Sequence, residues 1–130
     1  MKHVAFDFHG VLQSYPDKFA PMMKALREAG IVVSIMSGPP RAGMLEESAE
    51  KGYKRGEHYD HLISITDYLQ EIKKVKMWQD PQGNWWGAEE DWWGAKADLC
   101  IEFKVDVLYD DSIKYLKYFQ DSKTLFLLVT

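Results

Sequence analysis

The stretch Val4-Ala5-Phe6-Asp7-Phe8-His9-Gly10-Val11-Leu12 decides how the rest of the chain is read. Val4-Ala5-Phe6 is an unbroken apolar run that stops at a carboxylate and then reaches a glycine. Such a run reads as a buried strand opening into a loop, with Asp7 where the chain emerges. The same figure recurs downstream. Ile31-Val32-Val33-Ser34-Ile35-Met36 is β-branched and ends at Ser37-Gly38-Pro39-Pro40, where two prolines forbid further strand and suit entry into a helix over 41–51. Val105-Asp106-Val107-Leu108-Tyr109 is cut off by Asp110-Asp111, and Leu62-Ile63-Ser64-Ile65 and the run from Leu125 to Val129 supply two more strands.

Between these runs the spacing turns helical. Phe19, Met22, Met23, Leu26 and Ala29 mark a helix over 17–29 closed by Gly30, and further helices are expected over 67–74, 89–103 and 112–119. Strands alternating with helices predict an α/β fold, a three-layer Rossmann-like arrangement with a mainly parallel sheet and helices on both faces. Ligands in such folds bind at the carboxyl ends of strands, near a switch in strand order. Three strands here end in residues able to do chemistry: Asp7, Ser37 and Asp110-Asp111.

Composition sets the bounds. A length of 130 residues, 46% hydrophobic and 28% charged, suits one domain spanning 1–130 with a single core. A net charge of −4 argues against a broad nucleic-acid-binding face but leaves room for a local phosphate site. One cysteine, Cys100, permits no intrachain disulfide and reads as buried helix packing. The opening residues fit no signal peptide and no run is long enough to span a bilayer, so a cytoplasmic protein without membrane contact is expected.

Four motifs in order resemble those of the haloacid dehalogenase (HAD) superfamily, most of whose members are phosphatases. They are the apolar strand running into Asp7-Phe8-His9-Gly10-Val11, Ser37 after the next strand, Lys96 within Gly94-Ala95-Lys96-Ala97-Asp98, and Asp110-Asp111-Ser112. Lys76 competes for the lysine position, but the fourteen-residue lead of Lys96 over Asp110 is similar to the family's usual spacing. The resemblance implies a phosphohydrolase in which Asp7 attacks phosphorus to give an aspartyl-phosphate. Mg²⁺ would be held by Asp7, the His9 carbonyl, and Asp110 or Asp111, with Asp111 favoured for direct contact. Ser37 and Gly38 would bind the phosphoryl group, and Lys96 would neutralise charge as it builds. A receiver domain, also α/β with an acidic pair, carries that pair after its first strand rather than its fourth.

Two features depart from the family pattern. Its phosphatases carry a second Asp two residues after the nucleophile, and His9 stands there instead. Imidazole can exchange protons near neutrality, so His9 is the candidate acid/base; the alternative is a domain that binds a phosphorylated ligand with weak or no turnover. All five tryptophans fall between positions 78 and 93. Lys76-Met77-Trp78-Gln79 and Asn84-Trp85-Trp86 flank the turn Asp80-Pro81-Gln82-Gly83, which predicts a β-hairpin insert at about 75–88 where larger members of the superfamily carry a cap domain. Trp85 and Trp86 are the expected substrate contacts and Trp92 and Trp93 the expected packers, with Arg41 as a further phosphate contact and Lys73, Lys74 and Lys76 as nearby cations. The expected ligand is a phosphorylated small molecule or nucleotide, or a nucleic-acid end. Lys51, Lys54, Arg55, His58 and His61, interleaved with Glu50, Glu57 and Asp60, read as a mixed surface loop.

Overall fold

In a computed structural model that describes residues 1–130, five strands form one parallel sheet: β1 (His3–Phe6), β2 (Val32–Ser37), β3 (His61–Ser64), β6 (Val107–Asp110) and β7 (Leu125–Leu128). Their order across the sheet is β3-β2-β1-β6-β7, so the direction of winding reverses between β1 and β6. The intervening β4 (Met77–Gln79) and β5 (Trp85–Gly87) form a separate antiparallel hairpin. α1 (Pro16–Glu28), α2 (Arg41–Glu50) and α4 (Glu89–Glu102) are the longer helices, and α3 (Ile65–Asp67) runs on into a wider-wound turn, Tyr68–Ile72.

Strand alternation divides the core in two. Val4, Phe6, Val33, Ile35 and Val107 project to one face, where they meet Met23 of α1 and Met44 of α2. Ala5, Met36 and Leu108 project to the other, against Leu69, Ala95 and Leu99, the latter two from α4. Both faces are covered, which is why the strands read as continuous apolar runs rather than as an alternating pattern. No helix is long and apolar enough to cross a membrane.

The expected elements form, with shifted ends. Ile65 leaves the third strand because the Ser64 hydroxyl accepts the Asp67 amide at 3.0 Å and starts a helix instead. The fourth strand begins at Val107 rather than Val105, since the Asp106 carboxylate takes the amides of Lys2 and His3 at 2.7 and 2.9 Å. Residues Ile113–Phe119 wind as a 3₁₀ helix, in keeping with the weak helix propensity of Ile, Tyr and Phe over so short a segment. Arg27 of α1 pairs with Asp60 at 2.8 Å and His58 accepts the Lys54 amide at 2.9 Å, so the mixed loop is tied both to α1 and to itself.

His3 is buried, with Nδ1 and Nε2 2.9 and 2.7 Å from the Phe103 carbonyl and the Ser34 hydroxyl. Burial lowers its pKa below the ordinary 6.5. The unfolded chain therefore takes up the proton first, and stability present above pH 6.5 is lost as pH falls below it. The thermal midpoint should drop between pH 7 and pH 5.5, and drop less steeply in His3→Gln; equal slopes in the two proteins would remove His3 as the cause.

Candidate metal and phosphate site

Sheet register brings the acids together. Phe6 pairs with Tyr109, and the Asp7 amide donates to the Tyr109 carbonyl at 2.8 Å, so Asp7 and Asp110 leave the sheet side by side at the winding switch. Period-two alternation aims both at the face that Ala5 and Leu108 share, where α4 lies. From α4 comes Lys96, only 1% exposed, whose Nζ is 3.1 Å from Asp7 Oδ1 and bonded to Asp110 Oδ2. The ring of Tyr115 lies 4.5 Å from the same ammonium.

Two buried carboxylates thus share one ammonium. Burial pushes the Asp7 and Asp110 carboxyls above the usual carboxylate range, and Lys96 only partly holds them down. Burial would lower Lys96, but Asp7, Tyr115 and Asp110 outweigh it and the lysine stays protonated. Burial also raises the Tyr115 hydroxyl and the Cys100 thiol, each to about 12, which keeps the tyrosine neutral and the cysteine inert.

Asp111, exposed at the rim, completes an acidic trio whose ligand atoms all lie within 4.8 Å of one another. Its approach depends on Gly10: a Cβ at that position would overlap the Asp111 carboxylate, and the backbone has φ +80°. Three carboxylates facing one ammonium leave a deficit of positive charge in an all-oxygen donor set. The trio could hold a metal ion, and these donors suit a hard divalent cation. Both oxygens of Asp110 are engaged, Oδ2 by Lys96 and Oδ1 by the Ser112 amide at 3.0 Å, whereas Asp111 has no such protein partner.

A cavity of about 460 Å³ opens over these acids, lined also by His9, Ser37, Gly38, Trp85 and Trp86. The Ser37 hydroxyl faces the Asp7 carboxylate. The loop after β2 is stitched from β3 and α3: Ser64 Oγ donates to the Pro39 carbonyl at 2.6 Å and Thr66 Oγ1 to the Gly38 carbonyl at 2.7 Å. His9 is exposed and extended (φ −67°, ψ 128°), and its Nε2 sits 2.7 Å from Glu47 Oε2 on α2. Glu47 was not singled out in the sequence, where nothing separates it from Glu46; only the pitch of α2 does.

Other expected residues sit elsewhere. Arg41 is not in the cavity: Asp67 at 3.2 Å and Glu71 at 3.5 Å hold its guanidinium beside α3. Lys73 is bound to Asp91 at 2.9 Å, and none of Lys73, Lys74 and Lys76 lines the cavity. Trp92 is buried as expected of a packer, yet it also lines the cavity, as does Trp93, which lies edge-on to Tyr115 with centroids 4.9 Å apart.

Removing the shared cation should be costly. Lys96→Met strands two buried carboxylates and should lower unfolding free energy by about 3–5 kcal/mol at pH 7. Urea denaturation measures it, and a loss under about 1 kcal/mol, the level of an exposed pair, would show that the pair is not desolvated in solution.

No family model matches this chain, and no curated protein matches it in sequence.

Proposed function

We propose that this protein is a magnesium-dependent phosphohydrolase of the HAD type that cleaves phosphate monoesters through an aspartyl-phosphate on Asp7. One observation carries the reading: Asp7 and Asp110, from distant parts of the chain, meet on Lys96, and with Asp111 they form an acidic trio in a cavity that Ser37 and Gly38 also line. Asp7, Asp111, Asp110 and the His9 carbonyl would hold Mg²⁺, which when bound masks the negative charge of the phosphoryl group.

The side chains then have defined tasks. Lys96 contacts Oδ1 of Asp7, which leaves Oδ2 to attack phosphorus. Ser37 Oγ and the Gly38 amide donate to phosphoryl oxygens, and the fixed Lys96 ammonium offsets charge that develops in the transition state. The Glu47 carboxylate can only accept, so Nε2–H of His9 donates to it and Nδ1 is the nitrogen free to exchange protons. Nδ1–H protonates the departing ester oxygen as the P–O bond to Asp7 forms. The same nitrogen then takes a proton from the water that attacks phosphorus, and Asp7 is released.

One rival is a domain that captures a phosphoryl ligand without efficient turnover, favoured because His9 stands where the family's phosphatases carry a second Asp. Hydrolysis of p-nitrophenyl phosphate with Mg²⁺ decides between them. Turnover should fall by roughly 10³-fold or more in Asp7→Asn, the scale of losing a nucleophile. His9→Ala should impair an alkyl phosphate far more than p-nitrophenyl phosphate, whose leaving group needs no proton. Wild-type turnover that survives Asp7→Asn would remove the nucleophile assignment, and tight beryllium fluoride binding without any turnover would favour the capture module.

Cation binding is testable without catalysis. Mg²⁺ at a hundredfold excess over its Kd should stabilise the wild type by about 2.7 kcal/mol. Gly10→Ala, which displaces Asp111, should lose most of that gain; an undiminished Mg²⁺ shift in the thermal midpoint of this variant would discard Asp111 as a ligand.

A further inference from the structure

The wall of the cavity is made of two materials. One side is acidic: besides the trio, Glu47 stands on the rim, and no lysine or arginine lines the cavity. Lys96 lies beneath, spent on Asp7 and Asp110. The other side is indole, supplied by Trp85, Trp86, Trp92 and Trp93.

Trp86 is held at two points and is still 37% exposed. Its Nε1–H donates to Asp80 Oδ2 at 2.9 Å, and its ring rests 5.3 Å from that of Trp92, tilted by 44°. Trp92 in turn presses on the phosphate loop, where a Cβ at Gly38 would come within 3.0 Å of its ring. The ring of Trp86 is therefore positioned before any ligand arrives, and stacking on it costs little further ordering.

The charge pattern selects as strongly as the rings. A single phosphoryl group over Ser37 and the cation site is matched. A second phosphate would find no lysine or arginine lining the cavity, which also holds the Glu47 carboxylate, and like charges brought together in a confined cleft repel. A polynucleotide end carries such phosphates at every step.

Resting on the phosphohydrolase reading, we propose that the site selects monophosphate esters bearing a flat aromatic ring, which stacks on Trp86, and rejects polyphosphates and polynucleotide ends. A nucleoside monophosphate and an aryl phosphate share that chemistry. Of the ligands expected from the sequence, this disfavours the nucleic-acid end. Trp86 determines specificity, and Asp80 positions it.

Calorimetric binding to Asp7→Asn in the presence of Mg²⁺ tests the proposal without needing turnover. Adenosine monophosphate and phenyl phosphate should bind about tenfold or more tightly than glycerol phosphate or a 5′-phosphorylated oligonucleotide, the scale of one stacked base. A larger gain for adenosine monophosphate than for phenyl phosphate marks a nucleoside as the source, and the reverse marks a monocyclic aryl ester. Adding Trp86→Ala should shrink the ratio of adenosine monophosphate to glycerol phosphate affinity roughly tenfold, and Trp86→Phe, which keeps a ring, should retain most of it. Equal affinity for glycerol phosphate, tighter binding of the oligonucleotide, or an unchanged ratio in Trp86→Ala would overturn the proposal, while wild-type hydrolysis of phosphate esters would still stand. Conversely, intact ring selectivity in a wild type that turns over nothing would uphold ring recognition and discard the phosphohydrolase.

Discussion

The Lys96 ammonium is the point on which the rest of the structure leans. It is almost wholly out of water, and the two carboxylates that neutralise it come from strand ends that are far apart in sequence and adjacent in the sheet. Buried ion pairs rarely gain stability over apolar packing, because desolvation consumes most of the attraction. Here the imbalance is larger than for a simple pair, since Asp110 and Asp7 compete for one cation and Asp111 adds a third negative charge beside them. A core selected for stability alone would hold no such arrangement. The uncompensated charge leaves room for another positive group, and the trio could hold a metal ion among its oxygen ligands. The feature that costs the fold most is thus the one on which the proposed chemistry rests.

Two absent side chains shape what surrounds that charge. At Gly10 the missing Cβ lets the Asp111 carboxylate close on the first loop, and at Gly38 it lets the Trp92 ring approach the second. The two loops are consequently fixed from outside: one by an acid from the end of β6, the other by an indole from α4 and by the Ser64 and Thr66 hydroxyls. Their conformations are set jointly by these glycines and by the scaffold that closes on them.

How much of this could be read from the chain follows from the range of the interactions. Strand identity was legible because a sheet covered on both faces needs unbroken apolar runs, and Val4-Ala5-Phe6 and Val107-Leu108-Tyr109 supply them. The meeting of Asp7 with Asp110 was legible as well, since parallel strands that end in acids deliver them to one edge. The hairpin was visible in Asp80-Pro81-Gln82-Gly83, where the Asp80 carboxylate takes the amides of Gln82 and Asn84 at 3.0 and 2.9 Å. Side-chain direction was not legible. Arg41 follows the loop after β2 in sequence, but Asp67 and Glu71 win its guanidinium. Glu47 carries no mark that sets it apart from Glu46. Ile65 looks like strand until the Ser64 hydroxyl is seen capping a helix. The outcomes at Arg41 and Glu47 depend on partners distant in sequence or on the phase of a helix, which no local pattern records. Ser64-Ile65-Thr66-Asp67, by contrast, is itself a local capping pattern that outweighs the apolar run.

The tryptophan cluster shows why packing and recognition need not be rival explanations. Two three-residue strands cannot stand alone in water. The hairpin persists because Trp86 pairs across it with Trp78, is tied to Asp80, and rests on the buried ring of Trp92. Those same contacts immobilise the exposed face of Trp86 beside the acids. Were the cluster only structural, burying Trp86 fully would serve better, yet more than a third of it stays in contact with solvent at the mouth of the cavity. Were it only a ligand platform, the ring would not need a bonded indole nitrogen and an aromatic backing. A short hairpin can do both with the same atoms, and its rigidity is what the proposed stacking on Trp86 draws on.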